Sequence, residues 1–247
     1  MDTAIKAQID LFAKQLKFST LTNYEKIINQ IQPDSRYEDF LLEILKNEVF
    51  QRQENQQKRR LKAAGFPYNK ALDEFKYSEL KFVSEPYIWE LASCEYIKRR
   101  ENIIMIGGPG TGKTHLSIGL GLKACQEGFK VKFLTAATLV NMLSEARDGY
   151  NLSKLEKSLQ KHQLLVIDEL SYLSFNRHQS ELLFQVIAER AERASLIVNT
   201  NLQFSEWTEL FESEKILAAM IDRLTFKSHI LNMNGDSYRL KERKGQS

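Results

Sequence analysis

Apolar residues recur at helical spacing through the first fifty positions. Ile5, Ile9, Phe12 and Leu16 form one set, Tyr24, Ile27, Ile28 and Ile31 a second, and Tyr37, Phe40, Leu41, Ile44, Leu45 and Val49 a third. Thr22-x-x-Glu25 and Ser35-x-x-Glu38 fit the reciprocal capping pattern of a helix start. Beyond Phe50 the helical pattern loses its apolar face and stays polar and basic as far as Ala63-Ala64, where Gly65 and then Pro67 predict the stop. A helix that keeps its charge but loses its apolar stripe projects away from its own core, to meet either solvent or a partner.

From residue 84 the rhythm changes. Ser84-Glu85-Pro86 predicts a helix running to Lys98-Arg99-Arg100, whose cations suit the negative end of the helix dipole. Short apolar or β-branched runs follow at Ile103–Ile106, Val131–Thr135, Leu164–Ile167, Leu196–Asn199 and His229–Met233, most of them separated by helical stretches. Unbroken apolar strands alternating with helices predict an α/β fold, a parallel sheet with helices on both faces. The expected organisation is an all-helical domain over 1–64, an irregular connector over 65–83 and the α/β domain over 84–247.

Composition narrows the class without naming a function. The 247 residues are 43% hydrophobic and 27% charged, an ordinary balance for a folded soluble chain. No window of about 18 uncharged apolar residues exists to span a membrane, and the start, MDTAIKAQIDLFAK, lacks the apolar core of a secretory signal. A cytoplasmic protein is expected. Cys94 and Cys125 are far apart and form no CxxC, so two reduced, partly buried thiols are expected. The four histidines show no metal-ligand spacing. The net charge of +3 is modest but unevenly spread. Residues 46–70 hold seven basic residues, among them Arg52, Lys58, Arg59, Arg60 and Lys62, against Glu48 and Glu54. Smaller basic clusters stand at Lys98–Arg100 and at Arg239, Lys241, Arg243 and Lys244.

The chemistry lies in three strand ends. Gly107, Gly108, Pro109, Gly110, Thr111, Gly112, Lys113 and Thr114 read GGPGTGKT, between the strand candidate Ile103–Ile106 and a helix-compatible run from His115. Glycines there let backbone N–H groups turn toward a β-phosphate. The lysine reaches the β- and γ-phosphates, and the Thr114 hydroxyl ligates Mg²⁺. His115 borders the loop, although packing is the more ordinary role for such a histidine. Leu164–Ile167 ends in Asp168-Glu169, an acid for Mg²⁺ followed by a group able to deprotonate water. Leu196–Asn199 continues into Thr200 and Asn201; Asn201 is the first choice to hold the attacking water, with Asn199 and Thr200 as alternatives. ATP and Mg²⁺ are the implied cofactors, and ATP hydrolysis the implied reaction.

These residues, with LLVIDELSYL, NTNLQFSEW, AAMIDRL and GDSYRLKE, resemble the IstB-like helper ATPases of IS21-type transposons, which belong to the AAA+ class and are close to the DnaC/DnaI helicase loaders. The resemblance spans nearly the whole chain, and the FSEW and GDSYRLKE segments are more specific than the glycine loop. It implies a P-loop NTPase of AAA+ type in which Asn201 is the sensor, Arg223 is an arginine finger offered to a neighbouring subunit, and Arg239 is a second basic candidate near the nucleotide or the interface. No helical lid is expected after the SYRL segment. The implied partners are duplex DNA bound largely without sequence preference, the transposase of the same element, and further copies of the chain. Asn199 departs from the family, which more often has Thr there, and Ala191 stands where an aromatic is expected. A DnaC-like replicative helicase loader is the alternative function; a passive scaffold fits poorly with intact Lys113, Asp168 and Glu169. The basic segment holding Arg52, Lys58, Arg59, Arg60 and Lys62 is the expected DNA surface.

Overall fold

The computed structural model describes residues 3–30, 32, 36–172, 174–235 and 237–238. Its contacts divide the chain into two compact units, Met1–Arg59 and Arg60–Ser247.

The first unit is helical. It contains α1 (Thr3–Gln15), α2 (Tyr24–Ile28) and most of the 28-residue α3 (Tyr37–Ala64). Its buried apolar cluster is small: Tyr24, Ile27 and Ile44. The expected stripe on α3 therefore remains largely uncovered, with Leu41, Leu45 and Val49 exposed. Glu48 is the buried polar centre of the unit, accepting from the Thr20 N–H at 3.0 Å, the Thr20 hydroxyl at 2.7 Å and Arg52 Nε at 2.6 Å. The cap expected at Thr22 does not form. Its hydroxyl donates back to the Ser19 carbonyl within a 3₁₀ turn, and α2 starts two residues later. Ser35 and Ile31 lie outside the described residues.

The second unit begins within α3, because Leu61 and Ala64 already pack into its core, and Gly65 ends that helix at a φ of 75°. It continues through α4 (Glu85–Ala92), α5 (Glu95–Lys98), β1 (Asn102–Ile106), α6 (Lys113–Gln126), β2 (Val131–Thr135), α7 (Ala136–Asp148), α8 (Leu152–Gln160), β3 (Leu164–Asp168), α9 (Arg177–Arg190), β4 (Ser195–Thr200), α10 (Glu214–Thr225) and β5 (Ser228–Asn232). The single helix expected from Ser84 to Arg100 is broken, because Cys94 adopts a left-handed φ of 63° between α4 and α5. Both cysteines are free and buried, and burial pushes each thiol up to about 11.

The five strands among the described residues are all parallel, in the order β2-β3-β4-β1-β5. β1, β3 and β4 are buried along their whole length. Their alternate side chains feed two different cores: Ile103, Met105, Val166 and Ile197 on one face, Ile104, Ile106, Ile167 and Val198 on the other. Double coverage is why these strands read as continuous apolar runs, as the α/β expectation required. The stretch 65–83 is irregular, but its Leu72, Phe75 and Val83 are buried in the first core.

Candidate functional site

Sheet order dictates what meets at the carboxyl ends. Because β4 lies between β1 and β3, the loop after β1, the acids closing β3 and the amides ending β4 converge at one edge of the sheet. A cavity of about 290 Å³ opens there, lined on this side by Pro109–His115, Asp168, Glu169, Asn199 and Asn201.

The loop is held in its turn by left-handed glycines. Gly112 sits at a φ of 95°, and a Cβ there would stand 2.8 Å from the Phe75 ring, so both the conformation and the space require glycine. α6 starts directly after it, aiming its unpaired N–H groups at the cavity. Lys113 is buried, and its ammonium donates to the carbonyls of Gly107 and, at 2.8 Å, Gly108. It is a desolvated cation held at the loop.

Asp168 ends β3 and is only 4% exposed. Its Oδ1 accepts from the Thr114 hydroxyl at 3.2 Å and from Asn199 Nδ2 at 2.8 Å. A hydroxyl and a carboxylate side by side at a phosphate-binding loop are the hard oxygen donors that Mg²⁺ takes alongside a substrate phosphate. Glu169 follows with a φ of 59°, uncommon for a residue with a side chain, and is exposed to the cavity while Asp168 stays inside. The turn thus aims two consecutive acids in different directions.

The amides of β4 also separate. Thr200 spends its hydroxyl on the backbone of Leu202. Asn199 is 1% exposed, whereas Asn201 is partly exposed, with its N–H bound to Ser171 Oγ at 2.9 Å. The FSEW segment anchors this exit. Trp207 is fully buried, donates to the Leu202 carbonyl at 3.3 Å and packs among Phe204 and Phe211. His115 borders the cavity but is held by its neighbours: its Nε2 lies 2.9 Å from the Ala71 carbonyl and its ring meets Phe75 edge-on.

Reading the sequence missed the opposite wall. Tyr68, Lys70, Phe75, Lys76 and Leu80 of the supposed connector line the cavity together with Tyr238. Lys76 Nζ stands 4.6 Å from the centre of the Tyr238 ring, and the Tyr238 N–H donates to the Gly110 carbonyl at 3.0 Å. The one available signal was a cluster of aromatics and lysines in a stretch with no apolar period.

Other expected residues lie apart. Arg223, on α10, is outside the cavity; its guanidinium lies 5.0 Å from the centre of the Phe184 ring and donates to the Ala219 carbonyl. Arg239 and the basic residues after it lie outside the described residues. On α3, Lys58, Arg59 and Lys62 are exposed. Arg52 is paired with Glu48, and Arg60 donates to the Cys125 carbonyl at 2.9 Å. Arg60 is therefore tied to the core rather than presented with its neighbours, a contact between distant residues that the local charge count could not show.

The site's geometry agrees with what the chain is similar to. An ATP-binding protein of insertion sequence IS5376 from Geobacillus stearothermophilus is 39% identical over 210 residues, covering 85% of this chain and 84% of that protein. Its counterpart in insertion sequence IS21 of Pseudomonas aeruginosa is 34% identical over 239 residues, covering 96% and 90%. Among solved structures, the DnaC helicase loader superposes with a TM-score of 0.55 at 20% identity, over 68% of this chain and 98% of that one, a likeness of fold. No helix among the described residues is long and apolar enough to cross a membrane. With the glycine loop, the acid pair and the parallel sheet in place, and with the family described as IstB-like ATP binding protein matching residues 12–246, the chain belongs to that family of insertion-sequence ATP-binding proteins.

Proposed function

We propose that this protein is an ATPase that assists transposition: loaded with ATP and Mg²⁺, it assembles on duplex DNA and cooperates with the transposase of its own element in the cytoplasm. The observation that carries the catalytic part is the convergence of Lys113, Thr114, Asp168, Glu169 and Asn201 around one cavity at the strand ends. Thr114 and Asp168 would hold Mg²⁺, which supplies charge neutralisation on the phosphate oxygens. Gly107–Thr114 and the α6 N-terminus cradle the β-phosphate, and the Lys113 ammonium moves its donors from loop carbonyls to phosphate oxygens. Glu169 takes the proton of the attacking water while Asn201 orients it. The apolar and cationic wall of Phe75, Leu80 and Lys76 suits a base and ribose.

The transposase partner rests on the relatives' assignment to insertion sequences. The helicase-loader alternative draws only on a fold shared at 20% identity. A transposase reading frame beside this gene supports the first; replication genes alone in that position would favour the second.

The DNA surface is expected on α3 at Lys58, Arg59 and Lys62, which lie within one helical turn and are exposed. The Lys58–Glu54 pair, 3.8 Å apart and largely in solvent, costs little to break. Replacing all three by alanine should weaken duplex binding and make the log–log dependence of affinity on salt shallower by about 2 to 3, since each lost phosphate contact releases fewer counterions. Little base preference is expected from phosphate contacts. Titration of duplex binding against salt, with a non-hydrolysable nucleotide, reads both. An unchanged slope in a protein that still assembles moves the DNA contact elsewhere.

A further inference from the structure

Asn199 lies one residue before the end of β4 and borders the cavity as Asn201 does, but it is 1% exposed whereas Asn201 is partly exposed. Parallel pairing sets Val198 beside Ile167, which brings Asn199 next to Asp168, and Asn199 also lies across from Met105 of β1. The amide is enclosed by β3, β4 and α6. Its Nδ2 is 2.8 Å from Asp168 Oδ1 and 2.7 Å from Ser117 Oγ. A carboxylate only accepts, so the amide must turn its NH₂ toward Asp168. Ser117 Oγ lies 2.9 Å from both the Lys113 carbonyl and Asn199 Oδ1, so its one proton goes to one of these oxygens and its lone pairs are left to accept the second amide N–H. Both Nδ2 protons are then committed, and Ser117, itself fully buried, fixes the amide from below. Asp168 Oδ1 receives one donor from β4 and one, Thr114, from α6.

The geometry points to Asn199 as the positioning residue for Asp168: its amide pins Oδ1 of the carboxylate, so that this acid meets Mg²⁺ in one fixed orientation, and it takes no part in holding the attacking water. This rests on the reading of Thr114 and Asp168 as the Mg²⁺ site. It also gives the asparagine a task distinct from that of Asn201. The two amides lie two residues apart at one strand end of the cavity, but Asn199 is buried against the acid and Asn201 is partly exposed.

Outer partners that orient a metal-binding carboxylate set metal affinity by about 10- to 100-fold. The test uses two substitutions of equal shape, Asn199→Val and Asn199→Thr, which differ in a hydroxyl donor. A fluorescent ATP analogue is titrated first in EDTA and then against rising Mg²⁺. All three proteins should bind the analogue alike in EDTA. Asn199→Val should need about 10-fold more Mg²⁺ or higher to reach half of the metal-dependent gain in affinity, and Asn199→Thr should recover most of that loss. A purely structural role would lower binding with and without metal together, and would treat the two variants alike. Equal Mg²⁺ midpoints for wild type and Asn199→Val overturn the proposal, as do equal midpoints for the Val and Thr variants. If Asn199→Val does not fold, Ser117→Ala, which frees the amide's second proton, must raise the midpoint; no shift there overturns the proposal as well. A wild type whose nucleotide affinity ignores Mg²⁺ removes the metal reading on which the proposal depends, an outcome distinct from variants that match a Mg²⁺-dependent wild type.

Discussion

Glu169→Gln is expected to bind ATP with nearly wild-type affinity and to release phosphate at least about 10²-fold more slowly, the lower range for loss of a general base. The expectation follows from the turn at the end of β3. Asp168 is buried and bonded to Thr114 and Asn199, so its carboxylate serves the interior of the site. Glu169 is turned outward by a left-handed backbone and borders the cavity without belonging to that cluster. The amide keeps the shape and removes only the proton acceptor. Nucleotide affinity measured beside steady-state phosphate release separates the two functions. Wild-type turnover in this variant would take Glu169 out of the reaction. Loss of binding would mean that the side chain supports the loop instead.

The second large effect concerns Arg223. It is expected to act on the nucleotide of a neighbouring copy, because it lies outside its own cavity yet is held in place, over the Phe184 ring and against the Ala219 carbonyl. A guanidinium stacked on an aromatic face is ordered while its remaining donors stay available. Arg223→Ala should therefore bind ATP normally and hydrolyse it about 10³-fold more slowly, the low end of what an arginine finger contributes. Specific activity of the wild type should rise with protein concentration. Mixing Arg223→Ala with Lys113→Ala should restore part of the activity, since one kind of interface then joins an intact loop to an intact finger. If no mixing ratio gives rescue, the site is not shared between subunits.

Much of this arrangement was legible because it is local. The strands show as unbroken apolar runs since both faces of the sheet are covered, and the glycine loop shows because the turn at Gly112 admits no side chain. What stayed hidden depends on contacts between distant residues. Phe75 and Leu72 belong to the core of the α/β unit because they meet His115 and the bare face of Gly119, which no pattern within 65–83 records. The break at Cys94 places a left-handed residue where no glycine announces it. Arg60 counts as one more cation in the sequence but is tied through its Nε to the Cys125 carbonyl. Asn199 and Asn201 look interchangeable at a strand end until the register sets Asn199, buried, beside Asp168 and leaves Asn201 partly exposed.

The most direct test of the central claim, that ATP is bound by the Gly107–Thr114 loop, is calorimetric titration of ATP with Mg²⁺ into the wild type and into Lys113→Ala. The lysine is a buried cation whose donors are satisfied by two loop carbonyls, so it is poised to serve phosphate oxygens at little desolvation cost. A charged hydrogen bond contributes about 1.5–3 kcal/mol, which corresponds to about 10- to 100-fold in affinity. The account predicts one saturable site per chain in the wild type and a loss of that size in Lys113→Ala. A wild type that takes up no ATP, or a Lys113→Ala protein that binds it equally well, would contradict the account.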